Sequence, residues 1–207
     1  MMDRTTIRAA EAAVHPGFPD AEAVLIVELD GPQNEVETLF EQIEAVCAQN
    51  EGWGVQVARD DEQRGRIWMG RKAAFAAMGR VTPSYYVQDG VIPRSTLPEV
   101  LRRIRKLEQD SGLTIGNVFH AGDGNLHPTF LCDERNEEEM ARVEKAMEEV
   151  FSFAVELGGT ITGEHGVGLA KKPFLPKQLR PVGMDVLKRV KIAFDPVGIL
   201  NPGNMFD

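Results

Sequence analysis

The stretch LTIGNVFHAGDGNLHPTFL, residues 113–131, decides the fold because it encodes two β-rich segments joined by a tight turn. β-Branched and aromatic residues occupy both flanks, and GDGN at 122–125 supplies residue types that accept left-handed backbone conformations. A hairpin within a chain whose other strands alternate with helices favours an antiparallel or mixed sheet over a doubly wound parallel one. We therefore predict an α+β fold in which helices cover a mostly antiparallel sheet.

Hydrophobic periodicity predicts the elements around this hairpin. Short apolar runs predict strands, of which the run at 23–29 reads as buried. Apolar residues spaced three and four apart predict amphipathic helices, with Asn34 as the N-cap of one and a capping box of Thr96 and Glu99 opening another. The predicted strands are 23–29, 54–60 and 84–93. The predicted helices run from Asn34 towards Gly52, over 61–79 with a break or kink near Gly65 or Gly70, from Thr96 to Gly112, through Met140 and Ala154 to Gly158, and over 183–194.

Composition and charge exclude several classes of protein. The 207 residues carry 23 Lys and Arg against 32 Asp and Glu, a net charge of −9, whereas nonspecific nucleic-acid binding needs clustered cations. The acidic stretch 133–149 indicates a solvated helix face or, alternatively, a docking site for a basic partner. A membrane span, a secretion signal and a disulfide scaffold all lack support, the last because only Cys47 and Cys132 are present. We expect a cytoplasmic location.

Histidine is concentrated in two glycine-rich segments. His120 and His127 flank the turn at 122–125, and Glu164 and His165 lie between glycines in GGTITGEHGVG, residues 158–168. Each histidine alone could simply be a hydrogen-bonded, half-buried side chain. Together, two histidines and a glutamate form a ligand set suited to Zn²⁺, Mn²⁺ or Fe²⁺ with positions left open for a substrate. Such an ion can bind an α-hydroxy acid and lower the pKa of its hydroxyl, and His165 could then accept that proton.

A basic segment, RIWMGRKAAFAAMGR at 66–80, offers a second kind of binding group. Its arginines could anchor a carboxylate through the planar guanidinium, or they could be surface residues of an amphipathic helix. No glycine-rich loop between a strand and a helix matches a dinucleotide-binding fingerprint, and the spaced glycines at 163–170 do not fit one. The residues alone therefore supply no complete redox cofactor site.

Three motifs taken together resemble the C-terminal cap domain of FAD-linked oxidases. They are FHAGDGNLHP (119–128), GGTITGEHGVGLAKKPFL (158–175) and FDPVGILNPGN (194–204), and further segments at 25–31, 68–80 and 85–94 match in the same order. Within that group the chain is most similar to glycolate oxidase FAD-linked subunits, and also to D-lactate and D-2-hydroxyglutarate dehydrogenases. The resemblance implies a ferredoxin-like cap domain of an FAD-dependent 2-hydroxy-acid dehydrogenase that oxidises glycolate or a D-2-hydroxy acid to the 2-oxo acid.

The resemblance also assigns roles to residues. It implies that His120, His127 and Glu164 hold the divalent metal and that His165 is the catalytic base. The substrate-binding residues that it implies are Arg71, for the carboxylate, and Asn125, and the residues that reach the flavin are Asn201, Pro202 and Gly203.

Two departures from the family pattern bear on specificity and cofactor binding. Asn204 stands where relatives usually carry a lysine after NPG, which puts one polar contact to the flavin in doubt. Phe75 and Val87 fall near positions that carry polar substrate contacts in hydroxyglutarate-type relatives. Their apolar character favours a short acid such as glycolate or lactate.

The expected organisation follows from the extent of the resemblance. Residues 1–207 are expected to form one substrate-binding cap domain that lacks the family's first strand, while the FAD-binding domain lies outside the chain and holds most of the FAD. The chain alone is then inactive. Expected partners are a small 2-hydroxy acid, a FAD-binding domain or chain, an iron–sulfur companion subunit and a second copy in a homodimer, with peripheral attachment to the inner membrane through such partners. The alternatives are a non-catalytic metal- or hydroxy-acid-binding remnant of gene fission and an incompletely folded fragment.

Overall fold

The computed structural model describes residues 1–206 and divides the chain into two compact units, Met1–Met78 and Gly79–Asp207. In the first unit two short strands pair antiparallel and the first helix packs against the third. Asp3 caps the first helix, its carboxylate accepting the N–H of Thr6 at 3.0 Å, which is the usual role of an N-cap aspartate. The elements of this unit are β1 (Met2–Asp3), α1 (Arg4–Val14), β2 (Ala23–Val24), α2 (Gln33–Gln49) and α3 (Asp61–Met78).

Of the break or kink predicted for α3, the break is wrong, because the helix is continuous through Gly65 and Gly70. Gly70 serves close packing instead. A Cβ at this position would lie 2.5 Å from Cε2 of Phe18 and 2.7 Å from Cβ of Pro16, which is closer than real carbon contacts allow. The glycine therefore lets the segment that follows α1 pass directly over α3.

The predicted buried strand at 23–29 and the predicted strand at 54–60 are also wrong. Only Ala23–Val24 forms a strand, and the side chains of Leu25 and Val27 are 63% and 49% exposed. Residues 54–59 take no regular structure in the described chain. Helix α2 forms as predicted, but it begins at Gln33 without an Asn34 cap, and all its residues are exposed or half-buried. An apolar pattern indicates that a segment could be buried, but burial also needs another element that packs against it.

The second unit contains the predicted hairpin at the centre of an antiparallel sheet. Its strand order is β3 (Ser84–Val87), β7 (Pro128–Cys132), β5 (Thr114–Asn117), and the register pairs Ile115 with Phe130. A second small antiparallel pair, β4 (Gly90–Val91) with β6 (Asn125–Leu126), lies at the turn. The α+β prediction is confirmed. The elements are β3 (Ser84–Val87), β4 (Gly90–Val91), α4 (Leu97–Ser111), β5 (Thr114–Asn117), β6 (Asn125–Leu126), β7 (Pro128–Cys132), α5 (Glu137–Glu156), α6 (Leu175–Gln178) and α7 (Pro181–Phe194), with short 3₁₀ turns at Arg94–Thr96 and Lys172–Phe174.

The central strand β7 is buried along its whole length and carries the core of this unit. Helices α4 and α5 contribute apolar faces at helical spacing, including Ile104 and Val150, as the periodicity predicted. The predicted capping box is wrong: the Thr96 hydroxyl donates to the carbonyl of Pro93 at 2.7 Å, and Glu99 instead pairs with neighbouring arginines. A 3₁₀ turn directly before α4 makes that alternative available.

The turn between β5 and β6 depends on Gly124, and we expect Gly124→Ala to destabilise the protein by about 2–4 kcal/mol. Gly124 has φ +71°, and a Cβ there would lie 2.1 Å from the carbonyl oxygen of Ile92. Gly122, in the same turn, has open space around its Cβ position, so Gly122→Ala is the matched control and changes stability by less than about 0.5 kcal/mol. Urea unfolding measures both variants, and equal midpoints would contradict the prediction.

Candidate functional site

The turn after β5 brings two histidines to the same place. The backbones of His120 and Asn125 bond to each other in both directions, at 3.0 and 3.2 Å, and this closes the turn. The chain then runs through β6 to His127, just before β7. The imidazole rings of His120 and His127 lie edge to face with centroids 5.5 Å apart. The glycine-rich turn thus brings His120 and His127 together, as its sequence predicted.

The buried imidazole of His127 is held between the backbone of Gln88 and the side chain of Glu164. Its ring is 2% exposed, and Nδ1 lies 3.1 Å from the carbonyl oxygen of Gln88, so Nδ1 carries the proton that this acceptor needs. Nε2 lies 2.9 Å from Oε1 of Glu164. Burial lowers the pKa of His127 despite the nearby carbonyl and carboxylate, which favours neutral imidazole. In that state two lone pairs face each other, and a cation between them fits this arrangement.

The predicted third ligand and the predicted base come from the loop that follows α5. Ligand atoms of His120, His127 and Glu164 all lie within 4.8 Å of one another. The ring of His165 stacks on that of His127 with centroids 5.2 Å apart, and its Nε2 is 3.8 Å from Oε1 of Glu164. The side chains of Glu164 and His165 are 53% and 45% exposed, so a substrate can reach them. The structure brings these four residues together; their roles as metal ligands and base stay predictions.

A buried aspartate that the sequence reasoning missed lies beneath this loop. Asp89 is 0% exposed and accepts three successive backbone N–H groups, those of Gly163, Glu164 and His165. Burial alone would raise its pKa, but these hydrogen bonds and the charge of Lys171 hold the pKa well below the usual range for aspartate. The contacts span 73 to 82 residues of sequence, so no local pattern could reveal them.

Asn125 occupies the inner wall of the site. It is 8% exposed, and its Oδ1 has no hydrogen-bond partner among the described residues. A Cβ on Gly163 would lie 3.0 Å from this oxygen, so the amide lies against the loop that carries Glu164. A buried amide oxygen without a partner is available to a ligand. The predicted contact of Asn125 with substrate fits this position but stays a prediction.

The remaining predicted residues lie elsewhere in the chain. Arg71 is a half-buried residue of α3 in the first unit, where its guanidinium carbon lies 5.9 Å from the centroid of the Phe75 ring. Its assignment to the substrate carboxylate stays a prediction. Asn201, Pro202 and Gly203 are exposed in the tail after α7, and Asn201 and Gly203 have left-handed φ values of 46° and 78°.

Two hydrogen bonds attach this tail to the segment that follows the Glu164 loop. The N–H of Met205 donates to the carbonyl of Gly168 at 3.2 Å, and Nζ of Lys172 donates to the carbonyl of Gly203 at 3.1 Å. Met205 also packs against a core cluster that includes Phe151 and Phe174. The tail and the loop that carries Glu164 therefore pack on the same core cluster.

The sequence places the chain in a family of flavin-dependent enzymes. Residues 1–205 match the family "FAD linked oxidases, C-terminal domain", and the chain belongs to it. It is 45% identical over 204 residues to "Glycolate oxidase subunit GlcD" of Escherichia coli, covering 98% of this chain and 41% of that protein. The subunit of the same name from Bacillus subtilis is 43% identical over 206 residues, covering 99% of this chain and 44% of the relative.

More distant relatives extend the comparison. "D-lactate dehydrogenase [cytochrome], mitochondrial" of Arabidopsis thaliana is 30% identical over 207 residues, covering 99% of this chain and 36% of that enzyme. Among solved structures, 4-ethylphenol oxidase from Gulosibacter chungangensis superposes with a TM-score of 0.58 at 17% identity, covering 85% of this chain and 37% of that one. At this identity the likeness shows the fold alone. The chain thus spans about two fifths of the length of the relatives named here.

Within residues 1–206, none of the helices combines the length and the apolar character needed to cross a bilayer.

Proposed function

We propose that this chain is the substrate-binding and catalytic cap portion of an FAD-dependent 2-hydroxy-acid dehydrogenase that oxidises glycolate or a D-2-hydroxy acid to the 2-oxo acid. The observation that carries the proposal is the convergence of Nε2 of His127 and Oε1 of Glu164 at 2.9 Å, beside the exposed imidazole of His165. Family membership and the names of the relatives support the class of reaction.

The proposed division of labour follows from the chemistry of each side chain. His120, His127 and Glu164 hold a divalent cation through two imidazole nitrogens and a carboxylate oxygen. When bound, that cation would lower the pKa of the substrate hydroxyl, and the flavin would accept the hydride from the carbinol carbon. His165 accepts the hydroxyl proton, and its ring is held against His127 by stacking. Oxygen and nitrogen ligands of this kind suit Zn²⁺, Mn²⁺ and Fe²⁺ alike.

Most of the FAD contacts would come from a separate FAD-binding domain or chain. The segment Asn201–Pro202–Gly203 supplies the contact from this chain, because its residues are exposed. The iron–sulfur companion, the homodimer and the attachment to a membrane through partners stay predictions.

A chimera tests the proposed function. This chain replaces the matching segment of E. coli GlcD, and the chimera is produced in cells whose own GlcD is deleted. We expect soluble, flavin-containing protein that reduces an artificial dye with glycolate or D-lactate, whereas the 207-residue chain alone gives no turnover. A folded, yellow chimera that is inactive with every short 2-hydroxy acid would contradict the proposal. Turnover by the isolated chain would contradict the assigned dependence on a separate flavin domain.

A further inference from the structure

We infer that Asp89 and Lys171 form a buried ion pair that positions the Glu164–His165 segment, so that Asp89 is a positioning residue for both the metal ligand and the base. The inference rests on the proposed function for the roles of Glu164 and His165. Its geometrical part, a carboxylate that fixes the backbone of an otherwise exposed loop, stands on the contacts alone.

The carboxylate of Asp89 occupies a nest of donors. One oxygen, Oδ2, accepts almost all of these hydrogen bonds. Successive backbone N–H groups that converge on one point form a binding site for an anion. Here that anion belongs to the protein itself. The donors to Oδ2 are the hydroxyl of Thr162 (2.7 Å), the N–H groups of Gly163 (2.8 Å), His165 (3.0 Å) and Glu164 (3.1 Å), and Nζ of Lys171 (3.2 Å).

The loop can approach the carboxylate this closely only with glycine at position 163. A Cβ there would lie 2.8 Å from Cγ2 of Val91 and 3.0 Å from Oδ1 of Asp89. The start of the loop is also tied to β4, since Val91 and Thr160 exchange backbone hydrogen bonds of 3.1 and 2.7 Å. The backbone of the loop is therefore fixed by these bonds, while the side chains of Glu164 and His165 stay 53% and 45% exposed.

Lys171 supplies the counter-charge for the buried carboxylate of Asp89 and holds it in place. Its side chain is 9% exposed, and Nζ donates to the carbonyl of Asp89 at 2.8 Å as well as to the carboxylate. It also lies 5.7 Å from the centroid of the Phe151 ring. A lysine that bonds to both the backbone and the side chain of one aspartate restricts the position of its carboxylate.

Replacement of Asp89 by asparagine tests whether the negative charge positions the loop. Asparagine has nearly the same shape and can keep one acceptor oxygen at the position of Oδ2, but it lacks the negative charge that these donors share. Because Asp89→Asn also leaves Lys171 buried without a counter-charge, the double variant Asp89→Asn/Lys171→Met removes both charges and relieves that penalty. We expect both variants to bind Mn²⁺ about 10–100-fold more weakly than the unmodified chain in calorimetric titration, and the double variant to recover most of the unfolding temperature.

Asp195 provides a matched control in the same unit. It is another buried carboxylate that pairs with a lysine, Lys191, and it accepts the N–H groups of Ile199 and Leu200 at 3.0 and 2.9 Å. Asp195→Asn should leave the affinity for Mn²⁺ unchanged. Wild-type affinity in the double variant would overturn the inference, because the loop would then be placed without the carboxylate.

A second measurement needs no variant and no metal. We expect the amides of residues 163–165 to be protected from hydrogen exchange in the unmodified chain, although Gly163, Glu164 and His165 are exposed residues, because their N–H groups bond to a buried carboxylate. Exchange at unprotected rates would overturn the inference even if Asp89→Asn fails to fold. A chain with protected amides that binds no Mn²⁺ would contradict the proposed metal site while supporting the role of Asp89 in placing the loop.

Discussion

Replacing His165 by asparagine is expected to lower the rate of glycolate oxidation by the GlcD chimera by about 10²–10⁴-fold, the usual contribution of a positioned general base. Asparagine can keep a hydrogen bond but cannot accept a proton at neutral pH. The ring of His165 lies 3.8 Å from Glu164 and stacks on His127, so the substitution leaves the three proposed ligands in place. The measurement is the dye-linked rate at saturating substrate, with the Mn²⁺ content of the same samples.

The control for this variant is the histidine of the first unit. His15 ends α1 in a left-handed conformation with φ 49°, which asparagine tolerates, so His15→Asn removes a histidine without new backbone strain. It should retain the parent rate. If His165→Asn also keeps most of the parent rate, His165 is not the base, and if it loses metal together with activity, it is acting as a ligand.

His127→Ala is expected to weaken Mn²⁺ binding by more than about 100-fold, the upper range for residues that merely orient a ligand. His127 is the most buried of the three proposed ligands, and its Nδ1 bond to Gln88 aims Nε2 at Glu164. Removing the ring takes away both a ligand and the group that fixes the direction of the site. Metal analysis after dialysis and calorimetric titration report the loss, and metal content equal to that of the unmodified chain would contradict the assignment.

A variant at an exposed proposed ligand distinguishes a loss of metal binding from a loss of folding. Glu164 is 53% exposed, so Glu164→Gln removes the charge at little cost to packing. It should bind metal weakly while unfolding at the same temperature as the parent. Weak binding in His127→Ala accompanied by full binding in Glu164→Gln would show that the buried ring supports the fold rather than the metal.

Local sequence predicted the parts of the site that are adjacent in the chain. The GDGN turn predicts the approach of His120 and His127, since a short hairpin fixes its own geometry. The family motifs then group Glu164 and His165 with them. Asp89 was not predictable in this way, because an aspartate after a strand reads as an ordinary turn residue. Its hydrogen-bond partners lie in a loop that begins 73 residues later.

Two of the predictions that failed involve burial and capping, and they failed for a tertiary reason. The apolar run at 23–29 is present, yet Leu25 and Val27 are exposed because no described element covers them. Thr96 and Glu99 have the spacing of a capping box, but Pro93 and nearby arginines offer them other partners. Local propensity favours certain strands and caps, but contacts with residues nearby in space decide which of them form.

By itself, the sequence determined the α+β class, the central hairpin and the family, because turn chemistry, hydrophobic period and motif order are local properties of the chain. It also named the residues that we propose as metal ligands. Only the tertiary structure decided that Nε2 of His127 faces Glu164, and that Asp89 and Lys171 lie beneath the loop that carries Glu164 and His165. The direction of a lone pair and the burial of an ion pair depend on contacts between segments far apart in sequence, and these exist only once the chain has folded.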